Sequence, residues 1–430
     1  MSETTQYVAA TLFAIAILHT FLAASVVKFG HHYPKHEGLF HILGEVEAVF
    51  GIWSIILFGY LIYAEGFGNA VDYVDNRNYT EPLFVFVIMV VAASRPIMTA
   101  ARGVVEFLSG HLPMNITVAR FFVIMGVVPL LGSLITEPAA MTLAAMMLLR
   151  FFHKETSRFF KYAVIGTLFV NISIGGALTH FAAPPILMVA STWAWDTPYV
   201  FNHLGWKAAT AVLINATLLT LLVKKELHVT GAKEKADAED DDGEETPRSM
   251  PGSVIFLHLL LIAGVVLFAH HAPVFMGIFL IFLGLAAAYP QFHDRLIIRE
   301  GLMVGFFLAG LVVLGGMQAW WLQPLLTKMS PIEVYFGATA LTAVTDNAAL
   351  TYLASLVQGL SEEFKYMVVA GALTGGGLTI IANAPNPAGA SILKNRFDAS
   401  NINPGYLFLA ALGPTIITII CFKSLPLTLW

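Results

Sequence analysis

Charge is what this sequence has least of. Of its 430 residues only 12% are Asp, Glu, Lys or Arg, against 57% hydrophobic, whereas a soluble domain carries about 25% charged residues. With a mean hydropathy of +0.75, a water-soluble chain is excluded and a polytopic membrane protein is indicated. Cysteine is nearly missing as well. A single Cys421 rules out an intramolecular disulfide and a cysteine-based metal cluster. The apolar runs reach the roughly 20 residues of a helical span rather than the ten-residue alternating segments of a barrel strand, which disfavours an outer-membrane barrel. No phosphate-binding glycine loop is present, so ion gradients rather than nucleotide hydrolysis are the expected energy source. Nothing points to nucleic acid, to a cofactor, or to a metalloprotease or aspartyl-protease signature. The first apolar run, residues 7–27, has no basic residue before it and no small-residue cleavage site after it, so it reads as a retained span rather than a signal peptide.

The runs predict an all-α chain of about ten transmembrane helices. The first repeat, residues 1–223, holds spans at 7–27 and 46–63, a third starting near Pro82 and interrupted at Arg95-Pro96, an interrupted helix at 162–190, and a span at 208–223. At Arg95-Pro96 a proline kink and an early end followed by an interfacial segment are both open. The segment 118–150 is too long for one span and is broken at Gly132-Ser133 and Glu137-Pro138, which predicts a re-entrant helical hairpin. The helix at 162–190 contains Gly175-Gly176 and Pro184-Pro185, and no helix passes intact through that proline pair. Residues 224–251 are rich in Lys, Glu and Asp and predict a disordered, charged cytoplasmic linker. The second repeat, 252–430, holds spans at 254–269, 274–289, 302–317 and 406–421, a second broken hairpin at 331–360 and a second interrupted helix at 366–393.

Scarce as they are, Lys and Arg orient this map. Lys28, Lys35, Arg102, Arg120, Arg150, Lys154, Arg158, Lys161, Lys224, Lys225, Arg295, Arg299, Lys394 and Arg396 fall at one face together with the linker. Only Arg77, Arg95, Lys207, Lys328, Lys365 and Lys423 of the 23 basic residues do not. That face is expected to be cytoplasmic, in a bacterial inner membrane, with both termini outside.

Two stretches stand out inside the apolar background. Thr136-Glu137-x-Ala139-Ala140-x-Thr142 is echoed by Thr345-Asp346-x-Ala348-Ala349-x-Thr351. Phe160-Lys161-Tyr162-x-Val164 is echoed by Phe364-Lys365-Tyr366-x-Val368, and Gly175-Gly176-x-Leu178-Thr179-x-x-Ala182-x-x-Pro185 by Gly375-Gly376-x-Leu378-Thr379-x-x-Ala382-x-x-Pro385. Three matches in one order predict an internal repeat. On the charge map the first hairpin opens from inside and the second from outside, so the repeat is inverted. Inverted repeats with discontinuous helices at the midplane are an architecture of secondary transporters. Ionisable residues within such segments by default mark a substrate or ion path.

The plan of two hairpins, two interrupted helices and a charged central linker resembles the ion-transporter superfamily, which includes arsenite permeases and sodium/dicarboxylate carriers. Within it the chain most resembles a small bacterial group of sodium/proton antiporters, from about residue 40 to the end. The dicarboxylate carriers have a neutral Ser-Asn-Thr type motif at both hairpin tips. Here the tips hold Thr136-Glu137-Pro138 and Thr345-Asp346-Asn347, and acidic tips argue for a cation. The resemblance implies Na⁺/H⁺ exchange, with the hairpins and interrupted helices moving against a scaffold as an elevator, and a possible homodimer in the lipid bilayer. The alternative function is sodium-coupled transport of a dicarboxylate or oxyanion; an intramembrane enzyme built on the paired carboxylates has no supporting motif.

Na⁺ requires hard oxygen ligands, and a carboxylate that holds either a proton or the ion makes exchange obligatory. The candidate Na⁺ ligands are Asp346, Glu137, Asn347 and Asn383, with Thr136, Thr345, Thr179, Thr379 and Asn386 as further oxygens. Asp346, beside an amide, is the stronger expectation for direct ion binding. His180, at the break of the first interrupted helix, is a candidate proton carrier or sensor. Each residue also has a plainer reading. Glu137-Pro138 could begin a helix and Asp346-Asn347 could cap one. His180 could be a hydrogen-bonded core histidine, and the paired glycines could serve close packing alone. Arg95 could pair with Glu106 or Glu137, or anchor an anion. The histidines at 31, 32 and 36 read as a solvated turn.

Overall fold

The computed structural model describes residues 1–153, 156–240 and 250–429, and among them every regular element is helical. Among the described residues seven helices are long and apolar enough to cross a membrane, and the pair Thr80–Ala92 and Arg95–His111 makes an eighth candidate, bent by 66°. Gly252–Leu267 and Ala272–Ala288 are apolar but shorter. At Arg95-Pro96 one helix ends and another begins. Ser94 takes an extended conformation as N-cap and Pro96 enters the first turn of the new helix, the one helical position that tolerates its missing N–H.

The matched segments of the two halves fold alike. The first broken hairpin is Ile116–Ile135 followed by Glu137–Leu148, and the second is Pro331–Thr342 followed by Asn347–Ser355. The first interrupted helix is Arg158–Gly175 followed by Pro184–Trp193, and the second is Glu362–Gly375 followed by Asn386–Leu393. Even the starts agree: Ser157 accepts a hydrogen bond from the Phe160 N–H, and Ser361 one from the Phe364 N–H. The halves then interlock. The helix after the first break, Pro184–Trp193, packs on Asn347–Ser355 of the second hairpin, and Asn386–Leu393 packs on Glu137–Leu148 of the first.

Lipid supplies no hydrophobic drive for helix association, so contact depends on close fit, and small residues permit it. Gly175 lies against the Pro129 carbonyl and Gly375 against the Thr339 carbonyl, so that a Cβ at either position would collide with backbone. Gly175→Ala and Gly375→Ala should therefore each destabilise the protein by about 1–3 kcal/mol. The measurement is a thermal melt in detergent, with Gly413→Ala, which has open space around its Cα, as the unaffected control.

The helix Trp206–Asp240 continues into the charged segment, so residues 224–240 are helical where disorder is expected. A formed span spares the extension the cost of nucleation, and Ala, Glu and Lys extend a helix readily. The acidic run at 241–249 lies outside the described residues, as does Lys154 at the exit of the first hairpin.

Candidate functional site

The first hairpin breaks at a single residue. Thr136 adopts φ 71°, ψ 153°, a conformation a β-branched residue avoids and one that costs about 1–3 kcal/mol unless its surroundings impose it. The break starts the second helix with Glu137 at its first position and Pro138 at the next. Glu137 is completely buried. Its Oε2 accepts a 2.8 Å hydrogen bond from Asn383 Nδ2, and its Oε1 has no partner. Gly176 makes room for it: a Cβ there would stand 2.7 Å from Oε1.

The second tip is built differently. Asp346 is the N-cap of Asn347–Ser355, its Oδ1 accepting from the N–H groups of Ala348 (2.9 Å) and Ala349 (3.2 Å). Asp346 is half-buried, whereas Asn347, one residue on, is fully buried with both side-chain polar atoms unpartnered. Gly376 faces Asn347 as Gly176 faces Glu137, its notional Cβ lying 2.9 Å from Asn347 Nδ2. The hydroxyls that tie the breaks to the hairpins agree with this pairing. Thr179 donates to the Ser133 carbonyl and Thr379 to the Ala343 carbonyl, both at 2.8 Å. The structural counterparts are therefore Glu137 with Asn347 and Thr136 with Asp346, one residue out of step with the sequence match of Glu137 to Asp346.

Among the described residues several buried oxygens at the helix breaks have no hydrogen-bond partner: Thr136 Oγ1, Asn383 Oδ1, Asn386 Oδ1 and Asn347 Oδ1. Asn386 is held in place by two 2.8 Å bonds from its Nδ2 to the carbonyls of Gly376 and Thr379. Buried polar atoms are normally satisfied, so these open oxygens stand out; of the residues that carry them, Asn383 is the one bonded to Glu137. Among the described residues there is no cluster of three His, Cys, Asp or Glu side chains suited to a metal ion; the oxygens here come from one carboxylate, amides and a hydroxyl.

Other expected site residues lie apart. Thr345 donates to the Leu341 carbonyl and lines, with Asp346, a cavity of 360 Å³ that is otherwise almost wholly apolar. His180 faces away from the carboxylates: its Nδ1 is 2.7 Å from Thr197 Oγ1, its ring stacks on His270, and it borders a separate surface cavity with Glu81 and Asp196. Arg95 reaches neither Glu106 nor Glu137. It lies 3.8 Å from Asp294, while Glu106 pairs with Arg120 at 2.9 Å. One acid that sequence reasoning passed over, Glu47, lines a small cleft together with Asp346 and Asn383. Its only signal in the sequence is an acid in the first turn of an apolar helix, which also reads as an interfacial residue.

The strain at Thr136 offers a direct check. Thr136→Gly removes both the strained φ and the open hydroxyl. It should keep or raise the melting temperature in detergent while weakening apparent Na⁺ affinity, the opposite signs separating a functional residue from a structural one.

Several helices long and apolar enough to cross a membrane, with a fully buried carboxyl at a break between two of the helices, define the class: a multi-pass, all-helical membrane protein. The particular family follows from the sequence. The chain belongs to the family described as Putative Na+/H+ antiporter, whose model matches residues 4–425. It is thus a member of a membrane ion-transporter family, as the resemblance implies. No curated protein matches the chain.

Proposed function

We propose that the protein exchanges Na⁺ for H⁺ across a bacterial inner membrane, with Glu137 as the group that holds either the proton or the ion. The observation that carries this reading is the Glu137 carboxyl itself: fully buried, one oxygen bonded to Asn383, the other open, at a helix break where the two halves interlock. Such a group cannot rest as a bare anion, because an unpaired buried charge is too costly. It carries a proton, or it carries a cation whose remaining ligands are the open oxygens of Asn383, Asn347, Asn386 and Thr136. Because one carboxyl serves both cargoes, each must leave before the other binds.

In this reading residues 1–223 and 252–430 are inverted repeats joined by a cytoplasmic linker at 224–251, both termini are outside, and the two hairpins are re-entrant. The hairpins and interrupted helices then carry the site past a scaffold of the remaining spans in an elevator motion. A homodimer would seat that scaffold. The pairing of Arg95 with Asp294 supports cation exchange over sodium-coupled anion transport, since it removes from the site the cation an anion would need.

The test is ΔpH dissipation in proteoliposomes with Na⁺, Li⁺, K⁺ and organic anions added in turn. Na⁺ or Li⁺ should collapse the gradient and the anions should not, and the apparent KM for Na⁺ should rise as pH falls, because protons compete for the same carboxyl. A KM indifferent to pH, or flux that requires a dicarboxylate, would sink the proposal.

A further inference from the structure

We infer that the 360 Å³ cavity beside the tip of the second hairpin binds a lipophilic organic ammonium ion, its apolar body on an aromatic wall and its charge on Asp346, and that such an occupant slows exchange. Binding is independent of the exchange reading above; the effect on exchange rests on it. One wall of the cavity comes from Glu3–Gly30, Val46–Glu65, Ile298–Gly315 and Ala319–Leu326, the other from Pro331–Thr342 and Asn347–Ser355 of the hairpin. The cavity therefore lies between the second hairpin and helices it moves against in that reading.

Phe13, Phe50, Phe307 and Trp321 supply aromatic faces, and almost all the rest of the lining is aliphatic. Three polar side chains reach the cavity besides Asp346, and each already has a partner. Thr20 donates to the Ile17 carbonyl at 2.6 Å, Thr345 to the Leu341 carbonyl at 2.9 Å, and the Trp321 indole to Gln318 Oε1 at 2.8 Å. Asp346 differs. Its Oδ1 caps the helix, while its Oδ2 accepts no hydrogen bond and is not sealed into the packing. No basic side chain acts on it; the charged group that does is Glu47 in the adjoining cleft, another acid. The cavity thus joins a large apolar and aromatic wall to one carboxylate oxygen that nothing in the described chain neutralises.

That combination selects the ligand class. An anion is repelled by the carboxylate. A bare inorganic cation finds one carboxylate and two hydroxyls here, too few oxygens to replace its water among walls that are otherwise hydrocarbon. A neutral apolar molecule, a lipid chain included, fits the walls but shuts a carboxylate away from water without a partner, which is costly. An organic ammonium ion meets both demands. Its charge pairs with Asp346, the aromatic faces attract it further, and its hydrocarbon body covers the apolar wall, the balance typical of pockets in which a few polar groups orient a mainly apolar ligand. Seated there it touches both walls at once, so the hairpin moves past its neighbours only after the ion has left.

The probe is benzyltrimethylammonium, titrated calorimetrically into the purified full-length protein, with neopentylbenzene as the uncharged molecule of the same shape. The variants are Asp346→Asn, which keeps the helix cap, and Gly337→Leu, which fills the cavity. Gly337 lines it, and a Cβ there meets only Met329 Cε, at 3.7 Å; Gly337→Val is the smaller filling if a melt shows the Leu variant unfolded. Wild type should bind the ammonium saturably at one site, and each variant should weaken that binding by roughly tenfold or more. Neopentylbenzene should bind roughly tenfold more weakly than its charged analogue. No saturable binding, unchanged affinity in either folded variant, or equal binding of the neutral analogue, the mark of a cavity for lipid chains, would each overturn the proposal. In proteoliposomes a saturating dose should slow Na⁺-driven ΔpH collapse by wild type several-fold, and undiminished exchange would overturn the inhibitory half. If wild type exchanges no Na⁺ at all, the exchange reading fails, and the binding titrations still decide for or against the site.

Discussion

Glu137→Gln should all but abolish Na⁺-dependent proton movement and leave the protein folded. The amide has the size of the acid and can still accept from Asn383 Nδ2, so the 2.8 Å bond that seats the side chain is preserved. What it loses is the ability to hold a proton in one state and a cation in the other. Breaking a buried charge interaction typically costs about 3–5 kcal/mol, and each 1.36 kcal/mol is a factor of ten, so exchange should fall by roughly two to four orders of magnitude. The measurement is Na⁺-induced ΔpH collapse at saturating Na⁺, with a detergent melt to show the fold is kept. Because a fully buried carboxyl rests protonated when no ion is bound, the neutral amide should melt no lower than wild type. Exchange within a few-fold of wild type would remove Glu137 from the mechanism.

Asp346→Asn should lower exchange by about tenfold, the lesser loss expected of a half-buried carboxylate, and do so without loss of stability. Asp346 has two roles that this substitution separates. As N-cap it satisfies the N–H groups of Ala348 and Ala349, and Asn caps as well as Asp does. As a carboxylate bordering the cleft with Glu47 it contributes charge, which Asn lacks. Asp346→Ala removes both, so it should show the same transport defect together with a destabilisation of about 1 kcal/mol. If Asn transports like wild type and only Ala fails, Asp346 is a cap and nothing more.

The two acids thus differ in burial in a way the motifs do not imply. By sequence Asp346, beside an amide, is the stronger ion ligand, and Glu137-Pro138 reads equally well as the start of a helix. Both plainer readings are true of the backbone: Glu137 does begin a helix and Asp346 does cap one. Position within the first turn then decides exposure. The residue after the cap turns into the interface of the two halves, where Glu137 and Asn347 are fully buried, while the capping Asp346 remains half-buried. Matching acid to acid along the sequence cannot detect this, because the offset is a single residue. It arises where the first hairpin breaks at Thr136 alone and the second spreads its break over the residues between Thr342 and Asn347.

The sequence by itself determined the class of protein and the places where its helices break, at residues 136, 343–346, 176–183 and 376–385. These are legible because apolar run length, proline and glycine breaks, and repeated motifs are local properties that the bilayer makes strict: a lipid-facing helix must satisfy its own backbone. Tertiary structure alone decided which acid is fully buried, that Glu47 joins Asp346 and Asn383, that Arg95 pairs with Asp294, and that His180 belongs to a separate cavity. Each of these depends on distances between residues remote in the chain, from 17 positions for His180 and Thr197 to 336 for Glu47 and Asn383. Such distances are fixed by how the halves interlock, and a register shift of one residue, invisible to composition or periodicity, exchanges a buried carboxylate for a half-exposed one.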